Sequence, residues 1–465
     1  MTIERRDFMK AGAYSLLASI TPASKVLSEN ALLSGADDTA PESPQHVAAE
    51  LVEMMQKYGT HKHPSEGYYY SGYGESLYTW ETFLDNILLL HAGDTNLGRN
   101  ALRIYLSLQR EDGFIPRDWL SPAALSVGVE SVWHIYESEE HAQPFLFQIV
   151  LFLARVNGGD ISWISDGMYL SLKKYLSHWA TAWDRDSNGL CEWASACHSG
   201  EDNQFDRAGV WRSYFCEGAD LNSFLYLDLL AAEKLAKAKG LGDDAAAFAK
   251  AAQKIKELIN ELLWDEKDGF YYDRDIRTGN KIRIKSVAGL YPLWAGIPDH
   301  AQAKRIVEEH IMNPKEFWCS YPLPSYALDE RNYTQHHVPP PIIDTFYALN
   351  DGHSNWRGGV WGHANYFVAH GLQRYGFLRE ARLLAEKSYA VSAADKIVFE
   401  WYNAESGEGL GGRGVYAGAE ILMRFLPTEI ATGFEPMLIE DANKPINSDA
   451  LRSALGLKGP FRIGA

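Results

Sequence analysis

The sequence predicts an all-α toroid of stacked helical hairpins, and three observations carry that reading. Segments with apolar residues at three- and four-residue spacing follow one another from Tyr78 to Phe425, with no linker-like break after residue 50. Asp112-Gly113-Phe114 and Asp268-Gly269-Phe270 each mark a helix-to-loop junction, as successive hairpins around one axis would place them. Strand-like alternation is scarce and local, as in Phe270-Tyr271-Tyr272 and 281–284, so short β segments are expected only in loops.

In 78–92 the apolar positions Trp80, Phe83, Leu84, Ile87 and Leu88 share one helix face, and Leu97, Ala101, Ile104 and Tyr105 do so in 97–109. The pattern continues through 139–157, 168–183, 221–240 and 244–264, where Gly240 supplies a stop between the last two. The later helical segments are 300–311, 360–375, 378–393 and 417–425. Connecting loops of such a toroid converge on one face, and function is expected there.

The N-terminus differs from the rest. Glu4-Arg5-Arg6-Asp7-Phe8-Met9-Lys10 precedes a mildly apolar stretch and small residues, the pattern of a twin-arginine export signal. Residues 1–28 are read as that signal, 29–45 as a linker and 46–465 as one catalytic domain, so the expected location is the periplasm.

With 61 acidic against 44 basic residues, the net charge of −17 repels phosphate backbones, which argues against nucleic acid. No apolar run approaches ~20 residues, so no membrane span is expected. Cys191, Cys197, Cys216 and Cys319 lack Cys-x-x-Cys spacing, which argues against a zinc knuckle or thioredoxin-type site; Cys191 and Cys197 could pair across their loop in an oxidising compartment, but four buried free thiols are the expectation. The 14 Trp and 25 Tyr exceed what packing alone requires and suit flat contacts with sugar rings.

Two carboxylate motifs stand out in that aromatic setting: His198-Ser199-Gly200-Glu201-Asp202-Asn203 and Phe399-Glu400-Trp401-Tyr402-Asn403, the latter followed by a Gly-rich run. Glycoside hydrolysis needs one carboxylic acid to protonate the leaving oxygen and one carboxylate on the opposite side, and no cofactor. Asp202 paired with Glu400 is the expectation. Further candidate motifs are Tyr73, Trp80-Glu81-Thr82-Phe83-Leu84-Asp85, Gln109 with Gly113-Phe114-Ile115-Pro116-Arg117, and Asn355-Trp356-Arg357-Gly358-Gly359-Val360-Trp361 with Asn365.

Taken in this order, these motifs resemble glycoside hydrolase family 63 and its relative family 37, the trehalases. The resemblance spans about Tyr70 to Leu426. It implies an (α/α)6 barrel with inverting chemistry, a general acid at Asp202 and a general base at Glu400. It places Tyr73, Trp80, Glu81, Asp85, Gln109, Arg117, Trp356, Arg357, Trp361, Asn365 and Trp401 around the sugar. The chain departs from the family pattern at Glu81 (usually Asp), His198 (usually Glu) and Gly359 (usually Pro). The expected reaction is removal of a terminal α-glucose from a di- or oligosaccharide. The alternative is hydrolysis of an α-mannoside or α-glucoside of a small polar aglycone such as glycerate.

Asp184, Asp186 and Asn188 at alternating positions, with Gly189 sixth, match the start of an EF-hand loop, while Glu192 falls ninth rather than twelfth. A closed turn explains the same residues. Because some members of the resembling family carry calcium in a similar loop, a structural Ca2+ on Asp184, Asp186, Asn188 and Glu192 is one of the two readings. Histidines in the late loops, His336, His337, His353 and His363, admit a rival from another class, a histidine-based sugar epimerase on the same toroid. A non-catalytic glycan-binding protein is the remaining rival.

Overall fold

The computed structural model describes residues 44–72, 74–92, 95–122, 139–210, 212–336, 354–395, 397–447 and 449–457. The export segment, Tyr73, His337 and His353 lie outside the described residues.

The main helices are α1 (Pro44–Tyr58), α2 (Thr79–Ala92), α3 (Asn96–Ser107), α4 (Leu146–Val156), α5 (Asp166–Ala182), α6 (Ala219–Ala238), α7 (Gly242–Leu258), α8 (Gly362–Arg374), α9 (Leu378–Ala393) and α10 (Leu426–Thr432). A short helix, Tyr291–Ala295, and a 3-10 segment, Gly414–Arg424, complete the inner layer. Each inner element packs on the next: α2 on α4, α4 on α6, α6 on Tyr291–Ala295, that helix on α8, α8 on Gly414–Arg424, and the last back on α2. The ring is an (α/α)6 barrel. Inner and outer helices differ as their positions require. Every residue of α4 from Leu146 to Arg155 is buried, whereas α7 buries only Ala245, Ala252, Ile255 and Leu258, a single stripe.

Aromatic rings fill the axis. Phe83 stacks on Phe145 at 4.4 Å, Phe224 lies 4.9 Å from Phe145, and Trp294 stacks on Phe367 at 4.3 Å. Such pairs add about 0.5–1.5 kcal/mol each beyond the area they bury. Trp80 caps this column with its ring edge-on to Phe145, Phe224 and Phe367.

The inner helices α2 and α8 present their first turns at one end of the barrel and their last turns at the other. Trp80 and His91 on α2 are therefore separated by about 16 Å of helix rise. At the far end Glu429 of α10 gathers three partners, His91 Nε2 at 2.6 Å, His370 Nε2 at 3.0 Å and the Tyr366 hydroxyl at 2.6 Å, all buried. Burial alone would raise this carboxyl, but hydrogen bonds from His370 and His91 hold it down at about 2.

Several boundaries differ from the sequence expectation for local reasons. The segment expected at 139–157 becomes helical only at Leu146, because Glu140 and Ala142 pair with Arg117 and Ile115 through backbone hydrogen bonds. The 360–375 helix starts at Gly362 because Val360 pairs with Tyr402. The 244–264 helix changes to a π turn at Ile259, and 417–425 lies in a 3-10 stretch broken at Gly418 (φ 56°). Helix α1 starts at Pro44, which puts the expected linker end at 45 inside it; proline suits that first turn. Segment 378–393 is α9 as expected.

Strands are short and confined to the connections. Glu192–Trp193, Cys216–Glu217, Asp273–Asp275 and Asn280–Ile282 form one antiparallel sheet, and Phe399–Tyr402 pairs with Gly409–Arg413 in a hairpin.

Candidate active site

The segment carrying Asp202 is fixed from behind. Ser195 caps the turn Ala196–Ser199 by accepting the His198 N–H at 3.1 Å, and Gly200 ends it in a left-handed conformation (φ 84°) that a side chain would resist. The buried Arg207 guanidinium then meets Glu201 at 3.0 Å, Asp220 at 3.1 Å and Asp273 at 2.9 Å. Glu201 is thereby drawn into the protein, and burial, opposed by Arg207, pushes its carboxyl up to about 8. Its neighbour Asp202 remains partly open to solvent. The surrounding protein raises the Asp202 carboxyl to about 7; Arg117 opposes the rise, and Glu400 and Glu140 add to it. This group holds a proton near neutral pH.

Glu400 sits at a register shift in its hairpin, between the pairs Phe399↔Arg413 and Trp401↔Leu410. Bulges of this kind re-aim a side chain. Its Oε2 accepts the Gly412 N–H at 2.8 Å. The glycine run that follows has a specific reason at Gly411, which has φ +76° and whose added Cβ would overlap the Trp401 ring and Glu400 Oε2.

One short segment ties the two carboxylate loops together. The Trp356 N–H donates to Asn203 Oδ1 at 3.0 Å, and Gln204 Nε2 donates to the Trp356 carbonyl at 2.7 Å. Four residues later Val360 and Tyr402 exchange both backbone hydrogen bonds, at 2.8 and 2.9 Å. The segments carrying Asp202 and Glu400 are thus both tied to the backbone between Trp356 and Val360, and the two carboxyls lie within electrostatic reach of each other.

The aromatic residues expected to stack on a sugar are placed differently. Trp361 is sandwiched, 4.0 Å from Trp356 on one side and 5.2 Å from Trp401 on the other, so its faces are occupied by protein. All three are buried, and Trp80 is mainly core. They make a rigid wall rather than a set of open faces. Glu81 and Asp85 lie together on α2, both buried. Burial raises Glu81 to about 8, and its Oε2 accepts the Ala419 N–H at 3.0 Å, a reach that the extra methylene relative to Asp allows. Asp85 is pushed well above its usual range by burial and by Glu81.

Two expected sugar contacts have structural tasks instead. The Gln109 amide donates to the Ser171 carbonyl at 2.7 Å, bracing the 110–113 turn on α5. Asn365 is fully buried; it accepts the Leu323 N–H at 2.9 Å and donates to the Pro322 carbonyl at 2.8 Å and to Ser388 Oγ at 2.9 Å. Arg357 is buried, with Nε donating to the Asn332 carbonyl at 3.2 Å. Arg117 is buried beside the 195–202 loop and donates to the Cys197 carbonyl.

His198, where the resembling family has Glu, lies among Trp179, Trp183 and Trp193. Its Nδ1 accepts the Ala194 N–H, which leaves Nε2–H to donate to the His141 carbonyl at 2.8 Å, and burial holds it neutral with a value of about 3. His363 is buried against Trp80 and Trp356, with Nδ1 2.5 Å from Glu420 Oε1; burial lowers it to about 4. His336 is exposed. Glu140 and Glu420 carried no motif in the sequence, because their partners are distant along the chain.

The 184–192 loop brings carboxylate oxygens of Asp184, Asp186 and Glu192 within 4.8 Å of one another. Asp184 Oδ1 is buried without a partner, which suits an oxygen-seeking cation. Asn188 does not fit the ligand role: its Oδ1 accepts the Leu190 N–H at 2.8 Å and its amide donates to Asp186 at 3.1 Å and to Glu217. It closes the turn. The four cysteines are free thiols.

The profile of the mannosylglycerate hydrolase MGH1-like glycoside hydrolase domain matches residues 78–416. A mannosylglycerate hydrolase of Rubrobacter radiotolerans is 29% identical over 37% of this chain and 36% of its own length. One from Thermus thermophilus is 32% identical over 33% of this chain and 32% of its own length. The aligned parts thus span about a third of those relatives. Among solved structures, a Thermus thermophilus family 63 mannosylglycerate hydrolase in complex with glucose superposes with TM-score 0.61 at 18% identity, over 82% of this chain and 99% of that one. The neutral trehalase of Saccharomyces cerevisiae gives TM-score 0.57 at 17% identity, over 85% of this chain and 82% of that one. Both likenesses concern the fold. The chain belongs to the mannosylglycerate hydrolase MGH1-like glycoside hydrolase family.

Proposed function

We propose that the chain is an inverting, exo-acting α-glycosidase acting on small glycosides of the α-mannosylglycerate or α-glucosylglycerate type. Asp202 protonates the glycosidic oxygen, and Glu400 removes a proton from the water that attacks the anomeric carbon from the other side. The observation that carries this reading is the pairing of a partly open Asp202, raised to about 7, with Glu400 on a hairpin that the same backbone segment binds. The acid needs its proton at neutral pH and the base needs a fixed direction; the burial of one and the Gly412 contact of the other supply these.

The glycerate aglycone is favoured over a second sugar by the names of the relatives matched in sequence. A terminal α-glucose in a disaccharide is the second reading, favoured by the trehalase-like fold. A panel of mannosylglycerate, glucosylglycerate and α-linked disaccharides with product analysis separates them. Cleavage of a disaccharide with no glycerate released from either glycoside overturns the first reading. On the substrate that is cleaved, Asp202→Asn and Glu400→Gln should each lose about 10²–10⁴-fold in kcat. The β-anomer should appear first in proton NMR. Activity within about threefold of wild type in either variant removes that residue from its role.

A structural cation at the 184–192 loop is part of the same proposal, held by Asp184, Asp186 and Glu192 and acting on stability rather than chemistry. Export through the paired arginines Arg5 and Arg6 is likewise proposed from the sequence.

A further inference from the structure

Glu140 is almost fully buried, at 1% exposure, on the stretch that leads into α4. That stretch is zipped to the Arg117 strand: the Arg117 N–H donates to the Glu140 carbonyl at 2.9 Å, and the Ala142 N–H to the Ile115 carbonyl at 2.8 Å. The Glu140 carboxylate then reaches two groups that both hold the acid loop. Ser195 Oγ donates to Oε1 at 2.7 Å while accepting the His198 N–H, and Arg117 Nε lies 3.6 Å from Oε2 while its Nη1 donates to the Cys197 carbonyl. The cap and the guanidinium that grip residues 195–198 therefore end on one carboxylate.

We propose that Glu140 is a positioning residue for the acid: through Ser195 and Arg117 it fixes the 195–202 loop and sets the charge surroundings of Asp202. The proposal rests on the reading of Asp202 as general acid. The charged groups acting on Asp202 are Arg117, Glu400 and Glu140, with Glu201 behind it; those acting on Glu140 are Arg117 and Asp118, with Ser195 as its hydroxyl partner. Burial raises Glu140 itself only to about 6, against the opposing pull of Arg117, so it is mostly ionised at pH 7. Its negative charge offsets Arg117. With that charge removed, Arg117 would draw the proton off Asp202 at lower pH.

The test is a carbon-13 NMR titration of the full chain labelled at aspartate carboxyls, with Asp202 assigned by its absence in Asp202→Asn. In the wild type the Asp202 midpoint should lie near 7. In Glu140→Gln it should fall by about one unit, the size of one neighbouring charge. In Glu140→Asp, which keeps the charge, it should return toward the wild-type value. The alkaline limb of kcat should move with it, with KM at pH 6 little changed. A midpoint that stays put in Glu140→Gln, with turnover lowered equally at every pH, would make Glu140 merely structural and overturn the proposal. Should Glu140→Gln fail to fold, Glu140→Asp decides: its shorter side chain should loosen the hold on Ser195 and speed amide exchange across 195–202, and unchanged protection overturns the proposal. Asp202→Asn separates this failure from that of the underlying reading. If Asp202→Asn stays active, the acid assignment falls; if it is inactive while the titration is unmoved, only the role of Glu140 falls.

Discussion

The backbone N–H of Gly412 donates to Oε2 of Glu400 at 2.8 Å, across a hairpin whose register shifts at Glu400 itself. The contact depends on Gly411, where the chain turns through a left-handed conformation (φ +76°) between the Trp401 ring and the carboxylate. Gly411→Ala should therefore swing Glu400 away from the direction that the proposed base role requires. A displacement of ~1 Å costs roughly 10²-fold in rate, so kcat should fall by about that factor, together with a loss of thermal stability from the strained left-handed residue. Wild-type kcat in this variant would show that the hairpin does not aim the base.

Glu429 invites a stability measurement. Its folded value of about 2 lies below the ordinary 4.5, so its contribution is fully present above pH 4.5 and is lost as pH falls toward 2. The difference corresponds to about 3 kcal/mol. Urea denaturation of Glu429→Gln should show a loss of that order at pH 7, and the gap to wild type should narrow as pH drops from 4.5 toward 2. An equal gap at pH 7 and pH 3 would mean that packing, not charge, is what the substitution removes.

For the 184–192 loop, calcium should raise the unfolding temperature of the wild type, because a ligand at a hundredfold above its Kd contributes about 2.7 kcal/mol. Glu192→Gln should abolish the rise, and magnesium should not reproduce it. The competing outcome is no calcium effect at all; the contact of Arg274 with Asp186 at 3.4 Å and with Glu217 at 2.7 Å would then be what completes the turn.

Replacing Arg5 and Arg6 by lysines should leave the precursor in the cytoplasm of an expressing bacterium, as read by fractionation. Normal periplasmic yield of the double variant would remove the export assignment.

The barrel could be read from the sequence because its signal is local, in helical periods; the Asp202 and Glu400 reading rests likewise on local signals, two acidic residues embedded in aromatic and glycine-rich runs. Gly411 illustrates the point, since the need for a left-handed turn is written where it acts. The tryptophans were legible as a group but not in their orientation. A sequence cannot tell a ring that faces sugar from one sandwiched as Trp361 is between Trp356 and Trp401. Gln109 and Asn365 differ from the expectation for a related reason, because an amide engaged with the backbone of a distant segment has the same letter as one that binds a hydroxyl. Glu140 gave no signal, since its partners Arg117 and Ser195 come from other loops and meet it only after the ring has closed.

The aromatic column under Trp80 makes the barrel a blind tube. A sugar seated against it has no passage through Phe145, Phe224 and Phe367, so it must leave by the opening through which it arrived. On the proposed reading, with the terminal sugar innermost, the aglycone would depart first and the monosaccharide last, so the released sugar would be the product that competes directly with the next substrate.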